Sequence, residues 1–334
     1  MESALTLLPD IYVRPEFDAS QAVVSFTCPG GCSSASWIVR ASGKTIAVGN
    51  VPPSVNGVVS FTVDLPGFTP WSVHNPYLYA LVLTIRMNGK EVQVEQKFGM
   101  SKVETRNNKI YFNNREIFLK GVIRGREAHD HPNLMNLPEK EYYRKYIQEA
   151  KAYGFNFIRF HSRIPNNVYF EVADELGMLT HIEIRKYFGK YQKERKALDD
   201  LDDKNPELVD PEDWKKAVQE VRNHPSMLVY CMGNEINKPG NNPGVRKTFV
   251  LTRELDPKKL FLDTCGRGEY DRANVDIDVK HMGYYCPWGP HYGMFNTANQ
   301  CGVFGSIKGV KVYVNSDEKE KKQQWKMQRE IPVN

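Results

Sequence analysis

The feature that most constrains the fold is a change in the pattern of apolar residues near position 117. Before this position, short runs rich in β-branched and aromatic residues alternate with turn residues. After it, strand-like runs alternate with longer runs in which apolar residues recur at helical spacing. The first pattern indicates antiparallel β structure, whereas strands that alternate with helices indicate a parallel sheet. The sequence therefore predicts two domains, and its 334 residues are enough for both.

The first hundred residues contain a series of short strand patterns separated by turns. The clearest are Ile11–Arg14, Val23–Thr27, Ala35–Arg40, Val58–Val63 and Leu78–Ile85. Short strands at this spacing are typical of a β-sandwich. We therefore predict a sandwich over residues 1–100.

The rest of the chain is predicted to alternate strands and helices. The predicted strands are Phe118–Arg124, Phe155–His161, Met178–Ile184, Leu228–Glu235, Lys259–Thr264 and Asp278–Tyr285. The predicted helices are Pro138–Tyr153, Asn166–Gly177, a helix that starts at Pro211 after the cap residue Asp210, and Pro243–Leu255. Asn136 is the candidate cap of the first of these helices.

The fourth predicted strand leads into a carboxylate. The mostly apolar run from Leu228 stops at Gly233-Asn234-Glu235. A carboxylate where a buried strand reaches the surface is costly unless it is solvated, paired or used. In barrels of alternating strands and helices, active residues lie at the C-terminal ends of the strands. Glu235 is therefore a candidate catalytic residue, and on position alone a solvent-facing Glu at the start of a loop is the alternative.

Three segments carry a resemblance to a known family: Trp71–Tyr79, Asn113–Val122 and Gly233–Glu235. Their sequences and their order are similar to those of glycoside hydrolase family 2, which contains β-galactosidases, β-glucuronidases and β-mannosidases. The resemblance implies an immunoglobulin-like β-sandwich over residues 1–100 followed by a (β/α)8 TIM barrel over residues 101–334. A complete barrel takes ~250 residues. We therefore expect an incomplete barrel, truncated before its seventh strand, in an internal fragment of a longer protein.

The resemblance also implies an activity, the hydrolysis of terminal β-linked sugars with retention of configuration, as in β-galactosidases. Such hydrolysis uses two carboxyl groups. Glu235 matches the family's acid/base residue, and Asn234 matches the neighbour that contacts the 2-hydroxyl of the sugar. The family's nucleophile is a glutamate at the end of the seventh strand, and no residue of this sequence matches it.

Further substrate contacts are implied at the ends of the second and third strands. Arg159 matches an arginine that orients the nucleophile, and a structural ion pair is the alternative. His161 follows it one residue earlier than in the family pattern, and it is a candidate sugar contact. Glu183 is expected to contact the sugar or to pair with Arg124 or Arg159.

Four more candidates for substrate binding lie in loops or at the last predicted strand. His129 belongs to a rearranged version of a family motif after the first strand, and a surface histidine is its alternative. Tyr284 and Tyr285 end the sixth predicted strand, where the family has a tyrosine that hydrogen-bonds the nucleophile. Trp288 is placed to stack on a sugar face or to pack under the loop.

Composition narrows the kinds of partner. The net charge of +5 is spread along the chain, which argues against nucleic-acid binding. No apolar run approaches the ~20 residues of a membrane span, and no signal-peptide pattern precedes the sandwich. The expected partner is an oligosaccharide or another glycoside. Oligomeric state remains open, as does the choice between a cytoplasmic and a periplasmic or secreted location.

No metal site or cofactor is predicted. Four of the six cysteines are scattered at no metal-ligand spacing. Cys28 and Cys32 are spaced to close a disulfide loop, to bind a metal with outside ligands, or simply to be two thiols at a turn. A magnesium ion, as in some β-galactosidases, would need more ligands near Glu183 than the sequence identifies.

Two other functions compete with the glycosidase. A non-catalytic carbohydrate-binding or degenerate relative would also keep the sandwich and part of the barrel. An unrelated two-domain adhesin has only the sandwich in its favour. A coding sequence that continues past Asn334 into a strand carrying a glutamate would support the enzyme.

Overall fold

The computed structural model of the chain describes residues 10–27, 32–87, 90–124, 136–184, 209–236, 239–266, 275–279 and 304–306. Within these ranges an antiparallel β-sandwich is followed by strands and helices in alternation. Among the described helices, none is long and apolar enough to cross a membrane.

The sandwich consists of two antiparallel sheets. The first contains β1 (Tyr12–Glu16), β2 (Gln21–Thr27) and β5 (Val58–Asp64), in the order β1-β2-β5. The second contains β3 (Cys32–Ala41), β4 (Lys44–Asn50), β6 (Tyr79–Met87) and β7 (Lys90–Phe98), in the order β4-β3-β6-β7. Alternate residues of β2 are buried, because successive side chains of a strand point to opposite faces. Val24, Phe26 and Leu83 thereby join one core, and the predicted sandwich is confirmed.

Two tight hairpins connect the sandwich to the parallel sheet. They join β8 (Val103–Arg106), β9 (Lys109–Phe112) and β10 (Arg115–Glu116). Asn113 and Asn114 have φ angles of 52° and 64°. Asparagine tolerates this left-handed conformation better than other side-chain-bearing residues do, and two-residue hairpin turns need it.

The parallel sheet contains five consecutive strands in sequential order. They are β11 (Gly121–Arg124), β12 (Phe157–Phe160), β13 (Leu179–Glu183), β14 (Met227–Cys231) and β15 (Leu260–Leu262). The helices between and around them are α1 (Glu139–Ala152), α2 (Asn167–Leu176), α3 (Pro211–Val221) and α4 (Pro243–Leu255). An apolar layer that includes Ile158, Ile182 and Phe261 joins the sheet to these helices.

Helix starts follow the sequence signals with one exception. Asp210 caps α3 by accepting hydrogen bonds from the backbone N–H groups of Glu212 and Asp213, as predicted. The prediction that Asn136 caps α1 is wrong. Pro138 occupies the cap position, and the structure gives that cap no side-chain hydrogen bond. Asn136 lies two residues too early to satisfy the first free N–H groups of the helix.

The sixth predicted strand also differs from the prediction. The strand β16 (Ile277–Val279) pairs antiparallel with β17 (Phe304–Ser306). It is not part of the five-stranded parallel sheet. The strand predicted from Asp278 is thus present in its described part, but its expected place as a sixth strand of the parallel sheet is wrong. Residues 280–285 lie outside the described residues. A short apolar run does not reveal which neighbour takes its hydrogen bonds.

The sandwich packs on the N-terminal end of the parallel sheet. The indole Nε1 of Trp71 donates to the carbonyl of Asp174 at 2.9 Å. Asn223 accepts from the N–H of Val13 at 2.9 Å and donates to the carbonyl of Ile11 at 2.7 Å. All three bonds are buried. The C-terminal end of the sheet, opposite these contacts, carries the candidate site.

Candidate active site

The loop after β14 positions Glu235, the predicted acid/base, and Asn234, the predicted sugar contact. The strand itself ends at Cys231, four residues before Glu235. The chain continues beside the next loop, because Cys265 donates its N–H to the carbonyl of Gly233 and accepts one from Glu235, both at 2.9 Å. Glu235 has a φ of 53°. A positive φ is unusual for a residue other than glycine, and residues with such strained backbones are concentrated at functional sites. These backbone bonds hold it in that conformation.

The side chain of Asn234 is held by Arg159. The guanidinium Nη2 of Arg159 donates to Oδ1 of Asn234 at 2.7 Å. This bond uses the oxygen of the amide, whose two N–H donors remain available to other groups. Asn234 and Glu235 are both half-buried. The side chain of Asn234, the predicted sugar contact, is therefore held in place by the buried guanidinium of Arg159.

The same arginine forms a buried ion pair with Glu183. Its Nε donates to Oε1 of Glu183 at 2.5 Å, and the side chains are 9% and 0% exposed. The other carboxylate oxygen accepts the backbone N–H of Ser162 at 2.8 Å. Of the predicted partners of Glu183, the structure selects Arg159. Arg124 instead lies over the ring of Tyr146, 4.0 Å from its centroid.

The environment of Glu183 keeps its carboxyl group ionised. Burial by itself raises the pKa of a carboxyl group. Here the neighbouring His181 and Arg159 groups and the hydrogen bonds from Arg159 and Ser162 outweigh burial and hold the pKa of Glu183 below its usual value. Burial also lowers the pKa of His181 to about 4. The site therefore contains one charged pair and a neutral imidazole at pH 7.

The remaining predicted substrate contacts divide into two groups. His161 is described, and its side chain is exposed just past the end of β12. Within the described residues it makes no hydrogen bond to the cluster of Arg159, Glu183 and Asn234. The other predicted contacts lie outside the described residues: His129, Tyr284, Tyr285 and Trp288. These five assignments stay predictions.

The structure brings three further residues close to Arg159, Glu183 and Asn234 that the sequence analysis did not identify: His181, Cys231 and Cys265. His181 lies two residues before Glu183 on the same strand, so both side chains point to the same face. Glu183 is paired in register with Cys231 on β14. Ligand atoms of His181, Glu183 and Cys231 all lie within 4.8 Å of one another. The position of His181 could have been predicted from its spacing to Glu183 within β13. The positions of Cys231 and Cys265 could not, because they depend on how neighbouring chain segments pair.

Two models of one family match the chain. Residues 103–316 match the model described as "Glycosyl hydrolases family 2, TIM barrel domain". Residues 6–100 match the model described as "Glycosyl hydrolases family 2". The chain belongs to glycosyl hydrolase family 2, with a β-sandwich domain followed by a TIM barrel domain.

Individual relatives agree with the family. A β-galactosidase of Halalkalibacterium halodurans is 31% identical over 237 residues, which cover 66% of this chain and 22% of that protein. A β-galactosidase of Staphylococcus xylosus is 25% identical over 240 residues, 67% of this chain and 23% of that protein. The crystal structure of a β-glucuronidase from Parabacteroides merdae superposes with a TM-score of 0.62 at 18% identity, covering 81% of this chain and 34% of the other. The chain thus spans less than a quarter of the length of the two β-galactosidases.

Proposed function

We propose that this chain carries the acid/base half of the active site of a retaining β-glycosidase. The observation that carries the proposal is the clamp of Arg159 on Asn234, directly beside Glu235, at the C-terminal end of a parallel sheet in a family 2 barrel. This is the end of a barrel at which catalytic residues lie. Residues 1–100 serve as the immunoglobulin-like domain and residues 101–334 as the catalytic domain.

Glu235 is assigned the role of acid and then of base. In the first step it protonates the glycosidic oxygen of the leaving group while the nucleophile attacks the anomeric carbon. In the second step it removes a proton from the water that hydrolyses the glycosyl-enzyme. Its backbone is left-handed, and its N–H donates to the carbonyl of Cys265, which fixes the residue beside the end of the sheet. We assign the nucleophile to none of the described residues.

Asn234 is assigned the sugar contact. Arg159 binds the amide oxygen of Asn234, whose N–H groups donate to no other residue in the described part of the chain and can therefore bind a hydroxyl oxygen of the substrate. Glu183 acts through Arg159, because its carboxylate fixes the guanidinium that fixes the amide. Its complete burial favours this positioning role over a direct sugar contact. A displacement of Glu183 or Arg159 would therefore move the amide of Asn234 relative to Glu235.

The substrate class follows from the relatives. β-Galactosidases are among them, and a putative β-glucuronidase of Formosa agariphila is 27% identical over 247 residues. We propose that the full-length protein removes a terminal β-linked pyranose, with a galactoside and a uronide as the first substrates to try. Tyr284, Tyr285, Trp288, His129 and His161 are proposed as further contacts to that sugar.

The test is proton NMR of the first-formed product, with the full-length protein and a panel of aryl β-glycosides. Retention requires the two carboxyl groups to lie roughly 5–5.5 Å apart and gives a β anomer first. An α anomer appearing first would overturn the assignment of roles. Binding of the sugars without any turnover would instead identify a non-catalytic carbohydrate-binding relative.

A further inference from the structure

A group of potential metal ligands lies next to Arg159, the residue that binds Asn234. Only one residue of this group, Glu183, has a role in the proposed function. His181, Glu183 and Cys231 place an imidazole nitrogen, a carboxylate oxygen and a thiol sulfur within 4.8 Å of one another. All three side chains are buried. Three groups from two neighbouring strands, β13 and β14, therefore converge.

One of these groups has an unsatisfied polar atom. Nε2 of His181 is buried and has no hydrogen-bond partner within the part of the chain that the structure describes. It faces Oε1 of Glu183 at 3.5 Å, which is too long for a hydrogen bond. Buried polar atoms in proteins are almost always partnered, and an exception calls for an explanation such as an ion. In a tetrahedral zinc site with bonds of about 2.0–2.3 Å, neighbouring ligand atoms are roughly 3.5 Å apart. The observed separation fits that edge.

We propose that His181, Glu183 and Cys231 bind one Zn²⁺ ion. Imidazole, thiolate and carboxylate are the ligands that zinc takes in proteins, and these three residues supply one of each. Thiols exclude magnesium as the resident ion, since magnesium prefers oxygen ligands. The ion would be distinct from a magnesium site built on oxygen ligands.

Binding requires one change at Cys231. A thiolate is the form that coordinates zinc, so the thiol of Cys231 loses its proton when the ion binds. It thereby gives up the hydrogen bond that it donates to the carbonyl of Gly233.

The surroundings already orient the ligands. Arg159 and the N–H of Ser162 hold the two carboxylate oxygens of Glu183. Outer hydrogen bonds of this kind fix ligating groups in metal sites. Because Arg159 also holds Asn234, an ion at this position would stiffen the support of the proposed sugar contact.

The experiment is titration of the metal-free full-length protein with Co²⁺, which replaces zinc and reports thiolate ligands by a charge-transfer absorption. We expect one equivalent to produce this absorption and Zn²⁺ to bleach it. Cys231→Ser and His181→Asn should each weaken Co²⁺ binding by at least ~10-fold, the loss that even an outer partner can bring. The matched control is the double variant Cys28→Ser/Cys32→Ser, which removes two thiols from the sandwich domain and should leave the signal unchanged.

A second measurement needs no variant. X-ray absorption of the zinc-loaded protein should show sulfur at about 2.3 Å together with nitrogen or oxygen at about 2.0 Å. The proposal is overturned if no thiolate absorption appears, if zinc is bound by nitrogen and oxygen alone, or if the control variant loses the signal while Cys231→Ser keeps it.

Discussion

Two buried carboxyl groups lie at opposite ends of the parallel sheet, and their surroundings shift their pKa values in opposite directions. Asp256, at the N-terminal end, accepts hydrogen bonds from the hydroxyls of Tyr12 and Tyr230 at 2.8 and 3.0 Å. Burial raises its pKa even though these bonds and nearby cations act against burial. Glu183, at the C-terminal end, has the guanidinium of Arg159 as a direct partner, and its pKa is lowered. Both carboxyl groups are 0% exposed.

The opposite pKa shifts distinguish the two roles: Asp256 stabilises the packing between the sandwich and the barrel, and Glu183 stabilises the candidate active site. Asp256 joins a sandwich strand to the barrel through neutral phenols, and a protonated acid is tolerated there. Glu183 stays charged because a cation must be held in place beneath Asn234. The N-terminal end is therefore expected to govern stability, and the C-terminal end both stability and activity.

The largest effect is expected from breaking the buried ion pair. Glu183→Gln leaves the charge of Arg159 buried without a counter-charge, and removal of one partner of a buried pair costs about 3–5 kcal/mol of unfolding free energy. Urea unfolding measures the loss. The matched double variant Arg159→Met/Glu183→Leu should recover most of the stability, because an apolar pair of similar volume can replace a buried ion pair. It should nevertheless be inactive, and an active double variant would contradict the role of Arg159.

A smaller effect on stability alone is expected at the other end of the barrel. Trp71→Phe removes the hydrogen bond to the carbonyl of Asp174 and leaves that buried oxygen without this donor. The expected cost is about 1–3 kcal/mol, measured by urea unfolding, with kcat/KM unchanged at temperatures where the variant is folded. A fall in kcat/KM without a fall in stability would show that the two ends are not separate.

The smallest effect concerns the pH dependence of stability. Because the folded state holds the proton of Asp256 more tightly than the unfolded state, stability is lost as pH rises from 3.8, the unshifted value, towards the raised pKa. Asp256→Asn should remove this dependence, which amounts to at most ~1.4 kcal/mol per pH unit. Unfolding in urea at several pH values in this window measures it. Tyr12→Phe, which keeps the carboxyl group, should still show the dependence, and equal slopes for wild type and Asp256→Asn would contradict the shift.

Local signals in the sequence predicted most of the fold. Periodicity identified the sandwich and the five parallel strands, and cap residues such as Asp210 and Gly177 marked helix ends. Pairing of β16 with β17 was not predictable from local patterns, because it joins chain segments that lie 25 residues apart, from Val279 to Phe304. Local patterns state which face of a strand is buried, and they do not state its partner.

For the candidate site, the sequence predicted Asn234, Glu235 and Arg159 as neighbours through a resemblance to a family. It offered both Arg124 and Arg159 as partners of Glu183. Only the register of β12 and β13 decides between them, since it places Arg159 beside His181, on the face that Glu183 also uses. Side-chain contacts between strands therefore cannot be predicted from the sequence pattern of each strand alone.

The most direct test of the account is the dependence of rate on the leaving group in the variant Glu235→Gln of the full-length protein. If Glu235 protonates the glycosidic oxygen, substrates with poor leaving groups should lose ~10²–10⁴-fold in kcat/KM. Activated aryl glycosides, which need little protonation, should lose far less in the same step. The exposed Glu254→Gln on α4 is the matched control and should behave as wild type. Equal losses for both kinds of substrate would contradict the assignment of Glu235 as the acid.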